Sequence, residues 1–130
     1  MKYIFATLIL ACVTVFSQQV SAQETNNEIF TIVEESPTFP GGNQAISAFL
    51  SQNLVYPQSA LKDKIEGTVY VTFVVEKDGS VSNVKIIQGI HPDCDAEVIR
   101  VVKTMPNWTP GKQRGKAVRV QFNLPVKFRL

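Results

Sequence analysis

The stretch TVYVTFVVEKDGSVSNVKIIQ, residues 68–88, carries the clearest structural signal in the sequence. Its first part, residues 68–75, consists of β-branched and aromatic residues, which are typical of a strand. Alternation places valines and a phenylalanine on one face, and Tyr70 and Val74 make the other face apolar as well. Because both faces are apolar, we expect this strand to lie in the middle of its sheet.

A return strand and a closing strand complete the predicted sheet. The Asp78-Gly79 pair indicates a turn, and residues 81–88 follow as the return strand. Residues 118–128 alternate between apolar and polar side chains, so one face of this strand should be buried. Pro125 has no N–H to donate, which places the closing strand at an edge. The expected sheet has three antiparallel strands in the order 2-1-3. Residues 29–33 have the character of a further short strand, which we do not assign to this sheet.

Three segments have helical character. The first covers residues 44–53, with Asn43 as its cap. The second starts at Tyr56-Pro57, and the third covers residues 93–105, where a proline follows. Together the helices and strands predict an α+β two-layer sandwich, with the helices on one face of the sheet.

The first 22 residues have the organisation of a secretory signal peptide. Lys2 precedes an apolar run over residues 3–16, and small residues at 20–22 supply a cleavage site. The run is shorter than the roughly 20 apolar residues that a membrane span needs. Acylation at Cys12 and a retained anchor are the alternatives. We therefore divide the chain into a signal peptide (1–22), a flexible N-terminal segment and linker (23–43), and a folded domain (44–130).

The composition argues against several functional classes. A net charge of only +2 does not indicate nucleic acid as a partner. His91 is the only histidine, so no metal-binding spacing is present. Once the signal is removed, Cys94 is the only cysteine, which excludes an internal disulfide. Cys94 has either a structural role or a thiol pKa lowered by a helix start. We expect no enzyme, no metal and no cofactor.

The loop at residues 105–116 holds the only tryptophan, Trp108, between two prolines. We expect Trp108 to fold back as a lid on the hydrophobic core, and ligand stacking is the alternative. The basic residues Lys112, Arg114 and Lys116 follow it. They form either a solvated turn or a contact for phosphate or an acidic peptide.

The closing strand is the feature best suited to a function. Unpaired N–H and C=O groups at a sheet edge accept another chain, and natural edges are usually protected. Pro125, Arg119 and Lys127 protect this edge in part, so simple protection is one interpretation. The other is strand addition, in which an extended peptide bonds to the edge backbone. In that case the outward side chains of Arg119, Gln121 and Asn123 select the peptide.

Several features together resemble the TonB C-terminal domain family. They follow one another over residues 54–130 and comprise Tyr56-Pro57, the approach to the first strand at 65–69, the Lys77-Asp78-Gly79 turn, the Pro106-x-Trp108-x-Pro110-Gly111 loop and the closing strand. The segment Phe39-Pro40-Gly41-Gly42 and the helix after it resemble an extension of some members.

The resemblance implies a periplasmic domain that takes up the TonB-box peptide of outer-membrane transporters as an added strand. It also implies that Tyr56 and Pro57 shape the surface beside the peptide. Energy from an ion gradient would reach the domain through the ExbB–ExbD motor. A second hypothesis is a soluble adaptor or structural module of the envelope, without a link to the motor. Binding of a TonB-box peptide distinguishes the two.

Cleavage after Ala22 is the first testable prediction. The small residues at 20–22 should direct signal peptidase to this bond, so the exported protein should begin at Gln23. Mass spectrometry of the mature N-terminus measures this directly. An acylated Cys12 or an intact Met1 in membrane fractions would contradict the prediction.

Overall fold

A mixed sheet and three helices make up the part of the chain that the computed structural model describes, residues 27–130. In chain order the elements are β1 (Ile29–Phe30), α1 (Ala45–Asn53), α2 (Gln58–Lys62), β2 (Gly67–Val75), β3 (Val81–Gln88), α3 (Pro92–Lys103), β4 (Lys112–Gln113), β5 (Lys116–Ala117) and β6 (Arg119–Phe128). The expected signal peptide, its cleavage site and Cys12 lie outside the described residues. None of the helices between residues 27 and 130 has the length and apolar character that a bilayer crossing requires.

The four strands of the main sheet lie in the order β1-β6-β2-β3. β2 is central and pairs antiparallel with both β3 and β6, as the sequence predicts. The prediction of a sheet with only three antiparallel strands is wrong, because β1 adds a fourth. β1 runs parallel to β6, with Ile29 opposite Arg119 and Phe30 opposite Val120. A two-residue strand shows no alternation of its own, so its pairing depends on tertiary position. The closing strand is therefore an open edge only beyond residue 120.

The hydrophobic core lies between the sheet and the helices. One face of β2 and β6 supplies fully buried side chains, among them Phe73 and Phe128. Opposite them pack Ile46 of α1, Ala60 of α2 and Val98 of α3. Val74, on the other face of β2, is also buried, which accounts for the apolar character of both faces of this strand. These contacts form the two-layer α+β arrangement.

The ends of the helices follow local chemistry. His91 caps α3, since its Nδ1 accepts a hydrogen bond of 3.1 Å from the Asp93 backbone N–H. Asn43 does not cap α1 as predicted. Its Oδ1 instead accepts from the Phe39 N–H at 2.8 Å and closes the turn before the helix. Cys94 in the first turn of α3 is fully buried, and burial raises the pKa of its thiol. Burial thus favours the structural role of Cys94 over a lowered thiol pKa.

Trp108 is a lid on the core, as expected. Its side chain is only 3% exposed and packs edge-on against Phe39, Phe73 and Phe122, with ring centroids 5.4, 5.7 and 4.9 Å away. Its backbone N–H donates to the carbonyl of Gly79 at 2.8 Å. Gly79 has φ +89°, and a Cβ there would collide with the Trp108 carbonyl oxygen. The tryptophan thus joins the β2–β3 turn to the core.

Truncation of the lid should destabilise the domain. Trp108→Ala should cost about 3–5 kcal/mol of unfolding free energy, because it leaves a large cavity. Trp108→Phe is the matched control and should cost much less. It keeps an aromatic ring, and the Trp108 Nε1 has no hydrogen-bond partner among the described residues. Urea unfolding measures both values, and an unchanged midpoint for Trp108→Ala would contradict the role as a lid.

Candidate functional site

The outer edge of β6 is the candidate functional site. On its inner side β6 pairs with β2 over residues 120–128, and on its outer side β1 covers only its first two residues. Pro125 lies within this ladder, opposite Tyr70. In an antiparallel ladder both backbone groups of a residue point to the same side, and the side alternates along the strand. Pro125 has no N–H to donate to β2, so its backbone groups point to the outer side. The backbone groups of the residues at every second position from it point outward as well, namely those of Arg119, Gln121, Asn123 and Lys127.

The opposite edge of the sheet is less suited to accept a strand. β3 contains Asn83 with a left-handed φ of +51°. The register between β2 and β3 shifts between Thr72 and Val74. Such irregularities bend a strand and interrupt its pairing, which protects an edge. β6 therefore presents the regular open edge of this sheet.

Two clefts border the β6 edge. The first, of about 430 Å³, lies between α1 and the end of β6. Its walls include Leu50, Leu54 and Tyr56 on one side and residues 125–129 on the other. The second, of about 370 Å³, separates the N-terminal segment at 31–37 from residues 120–123. An extended chain lying along β6 would meet both clefts.

Of the predicted binding residues, Tyr56 lies beside this edge. Its hydroxyl donates to the Ile65 carbonyl oxygen, and its ring packs edge-on against Phe128 at 5.4 Å. Burial raises the pKa of the Tyr56 phenol, and Glu66 and Cys94 raise it further. Pro57 lines neither cleft. It is the residue at which the chain turns into α2.

Gln121 and Asn123 are exposed and outward, with their side chains on the solvent face of the sheet. Gln121 also lies beside the second cleft and opposite Val74 of β2. Neither side chain takes part in a hydrogen bond within residues 27–130. Both amides are therefore available to an external partner.

Arg119 is bound within the chain. Its Nε and Nη2 donate to the two carboxylate oxygens of Glu76 at 2.8 and 3.1 Å. Its Nη1 donates to the backbone carbonyl of Asn27 at 2.9 Å. Ser82 also donates to Glu76. The guanidinium thus joins β6 to the β2–β3 hairpin and to the N-terminal segment, a network that the sequence does not reveal.

The basic loop is a tight turn that contacts the N-terminal segment. β4 and β5 pair across Arg114, which has φ +55°, and Gly115. The Arg114 backbone N–H donates to Glu34 Oε1 at 2.7 Å, and Glu35 pairs with Lys112. Acidic residues therefore accompany the basic ones here. No group of His, Cys, Asp or Glu side chains in the described part could hold a metal ion.

The Glu76–Arg119 pair should make stability depend on pH. The Arg119 guanidinium holds the pKa of Glu76 below its ordinary 4.5. Because folding lowers this pKa, the stabilisation is complete above pH 4.5 and is lost as the pH falls through the lowered value. Glu76→Gln should thus cost about 1 kcal/mol at pH 7 and much less at pH 3.

Urea unfolding of both proteins at the two pH values measures this difference. Asp63→Asn is the control, since Asp63 is exposed and its side chain makes no hydrogen bond or ion pair among residues 27–130. A Glu76→Gln cost that is equal at pH 7 and pH 3 would contradict the prediction.

A mixed sheet with an open terminal strand, covered by helices on one face, defines a small α+β domain. The sequence profile described as Gram-negative bacterial TonB protein C-terminal matches residues 52–130. The chain belongs to this family of TonB C-terminal domains, which confirms the resemblance. β1 and most of α1 precede the matched residues.

A solved structure agrees with this fold. The longer of two Helicobacter pylori TonB-CTD fragments, determined by NMR, shares 22% identity and a TM-score of 0.52, covering 67% of this chain and 78% of the fragment. The shorter fragment shares 22% identity and a TM-score of 0.49, covering 65% of this chain and 89% of the fragment. At this identity the likeness is one of fold. No curated protein matches the chain.

Proposed function

We propose that the open edge of β6 binds an extended peptide of the TonB-box type, from outer-membrane transporters in the periplasm, by strand addition. The observation that carries the proposal is the regular edge beyond residue 120, with outward backbone groups and a cleft at each end. Membership of the TonB C-terminal family supports it. Backbone bonds would supply affinity, and side-chain pockets specificity.

The residues have four roles in this proposal. Asn123 and Lys127 offer the outward N–H groups to the peptide, and Pro125 leaves a gap between them. The amides of Gln121 and Asn123 select among peptide side chains. Tyr56, oriented by Pro57, lines the groove that receives an apolar side chain, together with Leu50 and Leu54. Arg119 acts by fixing the start of the strand through its pair with Glu76.

Energy coupling is the further part of the proposal, and it depends on the N-terminus. The ExbB–ExbD motor can act on this domain only where the chain stays attached to the inner membrane. Retention of Met1 together with co-purification of ExbB–ExbD would support a transducer. An exported chain beginning at Gln23 that still binds the peptide would be a binding module separate from the motor. An exported chain that binds no transporter peptide would instead fit the soluble adaptor.

A proline at position 123 tests the proposed edge. Asn123→Pro removes an outward N–H and leaves the bonds to β2, since residue 123 is in step with Pro125. It should lower the affinity for a transporter's N-terminal TonB-box peptide about tenfold, which corresponds to the loss of one or two backbone hydrogen bonds. Asn123→Ala is the matched control. It keeps the N–H and should stay within about twofold of wild type, because it loses only an exposed amide.

The measurement is a titration of the labelled peptide against all three proteins, with circular dichroism to confirm that each is folded. Position 123 is preferred to 121 because the Gln121 backbone adjoins β1. If Asn123→Pro is folded and binds as tightly as wild type, the peptide does not use this edge and strand addition is wrong.

A further inference from the structure

The N-terminal segment has a firmly held part, residues 34–39. Backbone bonds of 2.8–3.0 Å link Glu35 to Lys112 and Thr38 to Thr109, each pair in both directions. Pro37 is fully buried, and Phe39 is buried against Trp108. These contacts fix this part of the segment to the domain.

The residues before it are held much more weakly. We call residues 27–33 the N-terminal arm. Its hydrogen bonds to the domain, within residues 27–130, are those of the two-residue pairing of β1 and the one from Arg119 to the Asn27 carbonyl, and Phe30 and Val33 are partly buried. Ile32 is 86% exposed and Ile29 is 38% exposed. A ladder of two residues is marginal in water, so the arm should detach far more readily than the segment at 34–39.

The arm lies on the same edge that the peptide would use. Ile29 and Phe30 pair with residues 119 and 120. In a parallel ladder the slanted bonds of a residue reach the neighbours of its opposite residue, so Phe30, opposite Val120, engages the backbone of Arg119 and Gln121. With the arm in place, only Asn123 and Lys127 of β6 have outward N–H groups without a partner among residues 27–130. Release of the arm would add those of Arg119 and Gln121.

We infer that the N-terminal arm is an intramolecular occupant of the β6 edge, which an incoming peptide must displace to bind along the whole strand. This inference rests on the proposed function and concerns its regulation. The peptide's apparent dissociation constant is then its intrinsic value divided by the fraction of molecules with the arm released. Anything that loosens the arm should tighten peptide binding, and anything that fixes it should weaken binding.

Loosening the arm is the first test. Phe30→Pro removes an N–H of β1 without changing β6, and in the full exported chain it should tighten binding of the TonB-box peptide about tenfold. Glu28→Ala is the matched control, because Glu28 lies in the same arm but outside β1, is exposed and lines neither cleft. Its affinity should equal that of wild type. Unchanged affinity for Phe30→Pro would overturn the inference.

Fixing the arm is the second test. Ile29 and Arg119 lie opposite each other, so Ile29→Cys combined with Arg119→Cys allows a disulfide across the ladder. Cys94 is fully buried and stays apart from it. The oxidised protein should bind the peptide at least about tenfold more weakly than the same protein after reduction. Both forms of this variant lack Arg119, so the difference in affinity between the oxidised and reduced forms reports the disulfide alone.

The outcomes distinguish the two proposals. If oxidised and reduced proteins bind equally while Asn123→Pro still weakens binding, strand addition stands and the role of the arm is overturned. If no form binds the peptide, including Phe30→Pro, both proposals fail. Hydrogen exchange measures displacement of the arm directly, because the Phe30 amide should lose protection from exchange when the peptide is added. Retained protection at saturation would also overturn displacement.

Discussion

The ladder between β2 and β6 is the interaction on which the rest of the structure depends. It joins all of Gly67–Val75 to residues 120–128 of the last strand, although residues 76–118 of the chain lie between the two strands. It brings the apolar faces of both strands onto one core, where α3 and the Trp108 lid cover them. It also determines which backbone groups of β6 remain unused. Pro125 has no N–H to donate to β2. One register of β6 therefore buries its apolar face and also keeps the hydrogen bonds of the ladder, and in that register alternate backbone groups point away from β2.

Much of this sheet could be predicted from the sequence, and the reason is its period. β3 has the predicted bounds, and β2 and β6 each differ by one residue at their start. Long alternating runs record both a strand and its buried face. The pairing of β1 could not be predicted in this way. It depends on Arg119, which lies about ninety positions away in the chain. The same holds for the bond between Arg119 and Glu76 and for the groove beside α1, since no local pattern records which distant residues meet.

The strand that carries the candidate site could therefore be predicted from the sequence, but its surroundings could not. The exposed amides of Gln121 and Asn123 follow directly from alternation. Arg119 shares their spacing, yet its guanidinium is bound on three sides by groups of the same chain. An arginine on an exposed face can thus have a structural role. Alternation alone cannot distinguish it from an arginine whose guanidinium has no partner within the chain. Its partner Glu76 lies just beyond the end of β2, outside the pattern that predicted the strand.

The arm reconciles two demands that an open edge places on a small domain. An unpaired strand invites aggregation, so it needs cover when no partner is present. Permanent cover would prevent binding, so the cover must be weak. The anchored residues 34–39 keep the arm close to β6, which gives it a high effective concentration there. Because β1 pairs over only two residues, the arm binds β6 weakly. A longer peptide, which forms more backbone hydrogen bonds along the strand, can therefore replace it. The balance depends on length: two paired residues cover the start of β6, and a partner that uses the whole edge forms more bonds than it breaks.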